Sequence, residues 1–343
     1  MKGPQPRDKV TSLDVARLAG VSQSAVSRVF TPGASASPKT VEKVRAAAEA
    51  LGYRPNVLAR AMSTRRSRII GLVVAYLENQ FYPVALELLS RALQGRGYHI
   101  LVFMADQAGE KTAEVLGELI DYQVDGIITA SVAMTNDLTA RCSAAGIPVV
   151  MFNRGQDDPR LSEVTSDNLD GARRATEFLI AGGHRRIAHI SGWQGSSNGR
   201  DRTQGFRQAM AAAGMTPFGV FDGEYSREAA AAAVRQLCAG AERPDAIFVG
   251  NDHMAFAVMD ELRFGLGLRI PDDVSVVGFD DVPMASWPSY DLTTLRQPVN
   301  RMVAATVEAI LGQIEGRDAP RKIRIAGPLR VRRSARIPPD WAA

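Results

Sequence analysis

A chain of 343 residues is too long for a comfortable single domain, and its 45% hydrophobic and 23% charged residues are ordinary for a globular protein with real cores. No apolar run approaches membrane-spanning length, the first twenty residues lack a signal-peptide core, and the four histidines and two cysteines show no metal-ligand spacing. The net charge of +4 hides an asymmetry: residues 1–66 carry twelve Lys/Arg and four acids, the rest carries a net −4, and a polyanion partner is implied for the first part alone. Residues 1–10 are polar and Pro-bearing, an unstructured lead-in. Thr11 to Phe30, TSLDVARLAGVSQSAVSRVF, predicts two short helices joined by a tight turn. Thr11 caps the first with Asp14 as its capping-box partner, Val15 and Leu18 share its inward face, and Gly20 ends it. Ser22 caps a second helix that turns Val26, Val29 and Phe30 inward. Its other face carries Gln23, Ser24, Ser27 and Arg28, side chains able to hydrogen-bond base edges, as a helix-turn-helix requires. An ordinary helical hairpin has the same local pattern, so the charge split carries part of this reading.

Ser37-Pro38 opens a third helix with apolar spacing from Val41 to Leu51. After Pro55, Asn56 can cap a two-turn helix to about Ser63, too short to be stable without DNA or a second copy of the chain. From Ile69 the texture becomes βαβ. IIGLVVAYL, YHILVFM, DGIITAS and IPVVMF predict strands, with helices between them, and after Thr165 a second series has RIAHISG, AIFVGN and VSVVGFD as strands. Two similar α/β lobes in succession imply a ligand cleft where the carboxyl ends of their strands face each other. Cys142 and Cys238 read as thiols on helices in a reducing compartment.

These residues resemble the lactose-repressor (LacI/GalR) family of bacterial transcription factors. The markers are DVARLAGVSQSAVSRVF, ALGYRPNVLARAM, GGHRRIAHISG, FVGNDHMAFAVMDELRFGLGLRIPDDVSVVGFDD and LTTLRQP, which together cover nearly the whole chain. The resemblance implies an all-α helix-turn-helix headpiece at 1–66, with a hinge helix at about 56–63. It further implies an α/β body at 67–343 of two Rossmann-like lobes, like type I periplasmic binding proteins. Lobe 1 is expected at about 67–164 and 296–327, and lobe 2 at about 165–295 and 328–343, with crossings near Thr165, Leu295 and Gly327.

Function follows as an expectation: a cytoplasmic repressor that binds a palindromic double-stranded operator as a homodimer. A small polar effector, a sugar or sugar derivative, is expected to control it. The family's tetramer tail has no counterpart in LRVRRSARIPPDWAA. Base edges are assigned to Gln23, Ser24, Ser27 and Arg28, and phosphates to Thr11, Ser22, Lys39, Thr40 and Asn56. Met62 matches the family's apolar wedge into the minor groove. For the effector, the matched positions are Arg202, Asp280, Asn198 and Asn251, with Phe81, Tyr82 and Tyr225 as aromatic covers and Trp287 and Gln297 as secondary candidates. Facing guanidinium and carboxylate groups suit a polyol; a purine corepressor is the alternative ligand. A different class, a serine hydrolase, is suggested by Gly195-Ser196-Ser197-Asn198-Gly199, with Ser197 as nucleophile and His253 as base. A transport binding protein is a third, disfavoured by the basic headpiece. No phosphate loop or dinucleotide fingerprint is present, and neither a cofactor nor a metal is expected.

Overall fold

Capping chemistry sets the first three helices. The computed structural model describes residues 10–31, 34–54, 66–105, 112–339 and 341. Helix α1 (Ser12–Ala19) opens on a complete capping box, in which Thr11 Oγ1 accepts from the Asp14 N–H and the Asp14 carboxylate accepts from the Thr11 N–H at 3.0 Å. Gly20 closes it in the left-handed conformation, φ 65°, which glycine adopts without penalty. Ser22 caps α2 (Gln23–Phe30), and Ser37 with Pro38 in the first turn starts α3 (Pro38–Leu51). Val15, Ala16, Ala19, Val26, Val44, Ala47 and Ala48 form the core of this unit. Leu18, expected inward, is instead 56% exposed: Val15, Ala16 and Ala19 define the buried stripe, and Leu18 falls beside it. Asn56 and Met62, with the rest of the expected hinge helix, lie outside the described residues.

The chain divides into two compact units, Met1–Arg68 and Ile69–Ala343. The second alternates strands and helices: β1 (Ile69–Val74), α4 (Phe81–Gln94), β2 (His99–Met104), α5 (Thr112–Asp121), β3 (Gly126–Ala130), α6 (Asn136–Ala144), β4 (Val149–Phe152) and β5 (Ser162–Ser166). There follow α7 (Asn168–Ala181), β6 (Ile187–Ser191), α8 (Ser197–Ala212), β7 (Gly219–Asp222), α9 (Arg227–Leu237), β8 (Ala246–Val249), α10 (Asp252–Asp260) and β9 (Ser275–Asp280). The last elements are β10 (Thr293–Arg296), α11 (Val299–Ile314), β11 (Lys322–Ile325) and β12 (Leu329–Arg330). One sheet has the order β11-β5-β4-β3-β1-β2 and is parallel throughout; the other, β12-β10-β9-β8-β6-β7, is parallel except for the antiparallel β10/β12 pair. Both sheets are covered by helices, which the near-continuous burial of β1, β3, β6, β8 and β9 requires.

The chain therefore passes from one sheet to the other three times, after Ser166, after Arg296 and after Ile325. The third passage is tight. A Cβ on Gly327 would come within 1.8 Å of the Arg296 carbonyl oxygen, and the Gly327 carbonyl accepts from Arg174 Nη1 at 2.8 Å. Strand β5 has no signature in the sequence. Ser162, Glu163, Thr165 and Ser166 are polar, yet all five of its residues are buried.

Candidate functional site

In the headpiece, Ser22, Gln23, Ser24, Ser27 and Arg28 are all exposed, as are Thr11 and Lys39, with Thr40 half-buried. Several of these side chains already have local partners. Gln23 Nε2 donates to Ser12 Oγ at 2.9 Å, linking α2 to the start of α1. The Thr11, Ser22 and Ser37 hydroxyls are spent on helix caps, and Thr40 Oγ1 lies 2.8 Å from Ser37 Oγ. Ser24 Oγ lies 3.0 Å from Ser22 Oγ, and the exposed polar face of α2 continues with Ser27 and Arg28 beside Gln23.

In the body, the loops after the strands converge on one polar cleft between the two sheets. From the first sheet come Tyr76, Asn79 and Tyr82 after β1, Ser131 after β3, and Asn153 with Arg154 after β4. From the second come Ser196, Asn198 and Arg202 after β6, Tyr225 after β7, Asn251 after β8, and Asp280 at the end of β9. Of the sequence candidates, Tyr82, Asn198, Arg202, Tyr225, Asn251 and Asp280 are brought together here. Phe81 is not: it packs at 4% exposure against Phe152, ring centroids 6.0 Å apart, because its position in the first turn of α4 points it into the core. Trp287 is half exposed and outside the cleft. Gln297 stands behind it, donating from Nε2 to Asp280 Oδ1 at 2.7 Å.

Arg202 and Asp280 form the centre. Arg202 is 2% exposed; its Nε donates to Asn168 Oδ1 at 2.9 Å, its Nη1 to the Gly250 carbonyl at 2.5 Å, and its Cζ lies 3.7 Å from the Phe279 ring centroid. Its Nη2 sits 3.7 Å from Asp280 Oδ1, an ion-pair distance, and makes no hydrogen bond. Asn251 caps α10 through Oδ1, leaving Nδ2 buried and unbonded. Burial pushes the Asp280 carboxyl up, against the pull of Arg202, Asn79 and Gln297. Behind it, burial and the neighbouring Asp280 raise buried Asp252 to about 8; its oxygens accept from Thr294 Oγ1 at 2.6 Å and the Val282 N–H at 3.0 Å.

Direct bonds latch the lobes across the cleft. Asn79 Nδ2 donates to Asp280 Oδ2 at 3.1 Å, Asn198 Nδ2 to the Asn153 carbonyl at 2.7 Å, and the Gly155 N–H to Ser197 Oγ at 2.9 Å. The space left is about 20 Å³, room for a water and not for a sugar ring. Four of the lining residues hold left-handed backbone, Ser131 (φ 61°), Asn153 (φ 55°), Tyr225 (φ 57°) and Asp280 (φ 132°), strain of the kind that binding sites store. A Cβ on Gly192 would lie 2.1 Å from the Tyr225 ring, so only glycine admits that ring. A larger hollow of about 480 Å³ lies beside Phe81, Asp281 and Pro298. Its Asp281 is already held by Arg296 at 2.5 Å and Arg332 at 2.6 Å, whereas the cleft keeps unbonded donors, so the cleft is the better ligand site.

Tyr76, Asn79, Ser131, Asn153, Arg154 and Ser196 are cleft residues without a place in the sequence expectation. Their shared signal is position, at or just past the carboxyl end of a predicted strand. The hydrolase pair is not assembled. Ser197 Oγ accepts from Gly155, and His253 Nε2 faces Glu78 Oε2 at 4.0 Å.

Comparison with known proteins fits this architecture. Residues 11–56 match bacterial regulatory proteins of the lacI family, and residues 176–335 match the periplasmic binding protein-like domain. The HTH-type transcriptional repressor PurR of Photobacterium profundum is 31% identical over 330 residues, 95% of this chain and 98% of that protein. A solved complex of the transcriptional regulator CelR with cellobiose is 33% identical with a TM-score of 0.72, covering 95% of this chain and 100% of that one. The lac repressor dimer bound to operator and the anti-inducer ONPF superposes with a TM-score of 0.86 at 27% identity, over 95% and 99% of the two chains. The chain belongs to the LacI family of bacterial regulatory proteins, which are DNA-binding transcriptional regulators.

Proposed function

We propose that this regulator is a cytoplasmic repressor acting as a homodimer on a palindromic operator, and that a small sugar or sugar derivative bound between the lobes controls it. Gln23, Ser24, Ser27 and Arg28 read base edges; Thr11, Ser22, Lys39, Thr40 and Asn56 contact phosphates; Met62 is the minor-groove wedge. Asn198, Arg202, Asn251 and Asp280 hold the effector, and Tyr82 and Tyr225 cover its apolar face. The observation that carries the effector reading is the pair of buried, unbonded donors, Arg202 Nη2 and Asn251 Nδ2, beside the Asp280 carboxylate. Buried polar groups are nearly always satisfied, so these await a ligand's acceptors. The relatives add support, one being a complex with cellobiose and another a dimer on its operator.

A thermal-shift screen of sugars and purines on the full chain tests the reading. A ligand at a hundred times its Kd stabilises by about 2.7 kcal/mol through mass action. The compound that raises Tm is expected to change operator affinity as well. A stabilising purine would shift the reading to a base-stacking corepressor, and a stabiliser without effect on DNA binding would end the proposed control.

A further inference from the structure

We propose that the effector of this cleft is anionic, a sugar derivative carrying a carboxylate or a phosphate ester that is met by Arg202 and Asn251 at two helix starts and by Arg154 across the cleft. This rests on the reading of the cleft as an effector site. The unbonded donors come first. Arg202 Nη2 and Asn251 Nδ2 are buried on residues 2% and 1% exposed, and both line the cleft. Arg202 lies in the second turn of α8, and Asn251 is the cap of α10. The caps of both helices, Ser196 and Asn251, line the same space, so two positive helix ends face the ligand.

Asp280 is the one carboxylate among the described residues of the lining, set against the guanidinium groups of Arg202 and Arg154. Arg202 stands 3.7 Å from Asp280, and Asn79 and Gln297 donate to its two oxygens at 3.1 and 2.7 Å, so its acceptors are already engaged. Arg154 brings a second guanidinium from the other lobe. It is 6% exposed, donates from Nη1 to the Ser131 carbonyl at 3.0 Å and from Nη2 to the Gly195 carbonyl at 3.4 Å, and lies 5.2 Å from the Trp193 ring centroid. These contacts fix it at the cleft wall from both lobes. Burial raises the Tyr225 hydroxyl; Arg202 and, more weakly, Arg154 pull it back, and Asp280 pushes it further up. A neutral polyol would satisfy the two donors and gain little from the field. A carboxylate or phosphate uses both, accepting from the donors and adding the attraction of its own charge to the guanidinium groups.

The test is titration calorimetry of the full chain with D-glucose, cellobiose, D-gluconate, D-glucuronate and D-glucose 6-phosphate at low salt. The expected result is that at least one acid binds about tenfold or more tightly than D-glucose or cellobiose, and that added salt narrows the gap. The preference between gluconate or glucuronate and the 6-phosphate identifies the anion. Arg154→Gln is expected to remove most of this preference and Arg154→Lys to keep part of it, with melting curves reporting that each variant folds. The wild-type comparison needs no variant. Neutral sugars binding as tightly as the acids, an acid preference intact in Arg154→Gln, or no binding by any of the five would each overturn the anionic assignment. The regulator reading is judged separately, by operator binding of the same protein.

Discussion

Arg202 is held like a structural residue, buried and bonded on two sides, yet one of its nitrogens reaches only an ion-pair distance from Asp280. Arg202→Ala is expected to cost about 1.5–3 kcal/mol in effector affinity, the worth of a charge-assisted bond plus the carboxylate left alone. Calorimetry on the variant checks this; an unchanged Kd removes Arg202 from the site, and lost stability with an intact Kd makes the pair a purely structural tie between β9 and α8. Asp252 carries a pH signature. Its folded carboxyl is raised to about 8 by burial and by Asp280, so between about pH 4 and pH 8 the folded state holds a proton that the unfolded chain has released. Its contribution to stability is thus present at low pH and lost as pH rises through that window. Asp252→Asn keeps a donor and an acceptor at that position without the charge. Denaturation midpoints across that window should therefore fall less steeply in the variant, by at most about 1.4 kcal/mol per pH unit for one proton. Parallel curves would refute the assignment.

At the scale of elements, α2 presents its polar side chains from a helix whose N-terminus is capped by the Ser22 hydroxyl. Arg28→Ala is expected to cost about 1–3 kcal/mol on the preferred operator and to relax specificity at one base pair, while Lys39→Ala weakens all sequences alike. Selection of binding sites from random duplexes distinguishes the two, and an unchanged consensus with Arg28→Ala would exclude that residue from base reading. Thr11→Ala removes one half of the capping box and should lower headpiece stability by about 0.5–2 kcal/mol, read from its melting curve. The caps themselves were readable from Thr11, Asp14, Gly20, Ser22 and Ser37, because a cap is a contact within three or four residues. Leu18 was not, since which side of an eight-residue helix is covered depends on where α3 lies.

The whole molecule needs a two-state element if a ligand in one unit is to act on DNA bound by another. The cleft is proposed as that element. With about 20 Å³ free, the proposed effector enters only if the lobes part and its own bonds replace the Asn79–Asp280 and Asn198–Asn153 latches. Coupling to DNA is proposed to run through residues 56–63. Met62→Gly is expected to reduce specific operator affinity far more than effector affinity; equal losses in anisotropy and calorimetry titrations would count against the hinge.

What short-range rules control is legible in the letters alone. Cap residues, helical spacing and the βαβ alternation of branched apolar runs placed the headpiece, most strands, and the loops where a ligand was to be sought. Arg202, Asp280, Asn198 and Asn251 were legible through the family resemblance, which matched them to ligand positions, and all four line the cleft. The rest depends on contacts between segments far apart in the chain. Strand β5 is polar in letters and buried in fact because helix α11 covers it, with Ser162 accepting from Gln313 of that helix at 2.7 Å. Phe81 and Tyr82 are neighbours with similar rings, yet one enters the core and the other the cleft, since successive helix positions differ by about 100° and only the packed sheet says which direction is inside. Arg154, the second cation of the cleft, had only its position after a predicted strand to mark it: its contacts with Trp193 and Gly195 lie far along the chain and in the other lobe, which the three chain crossings bring against it.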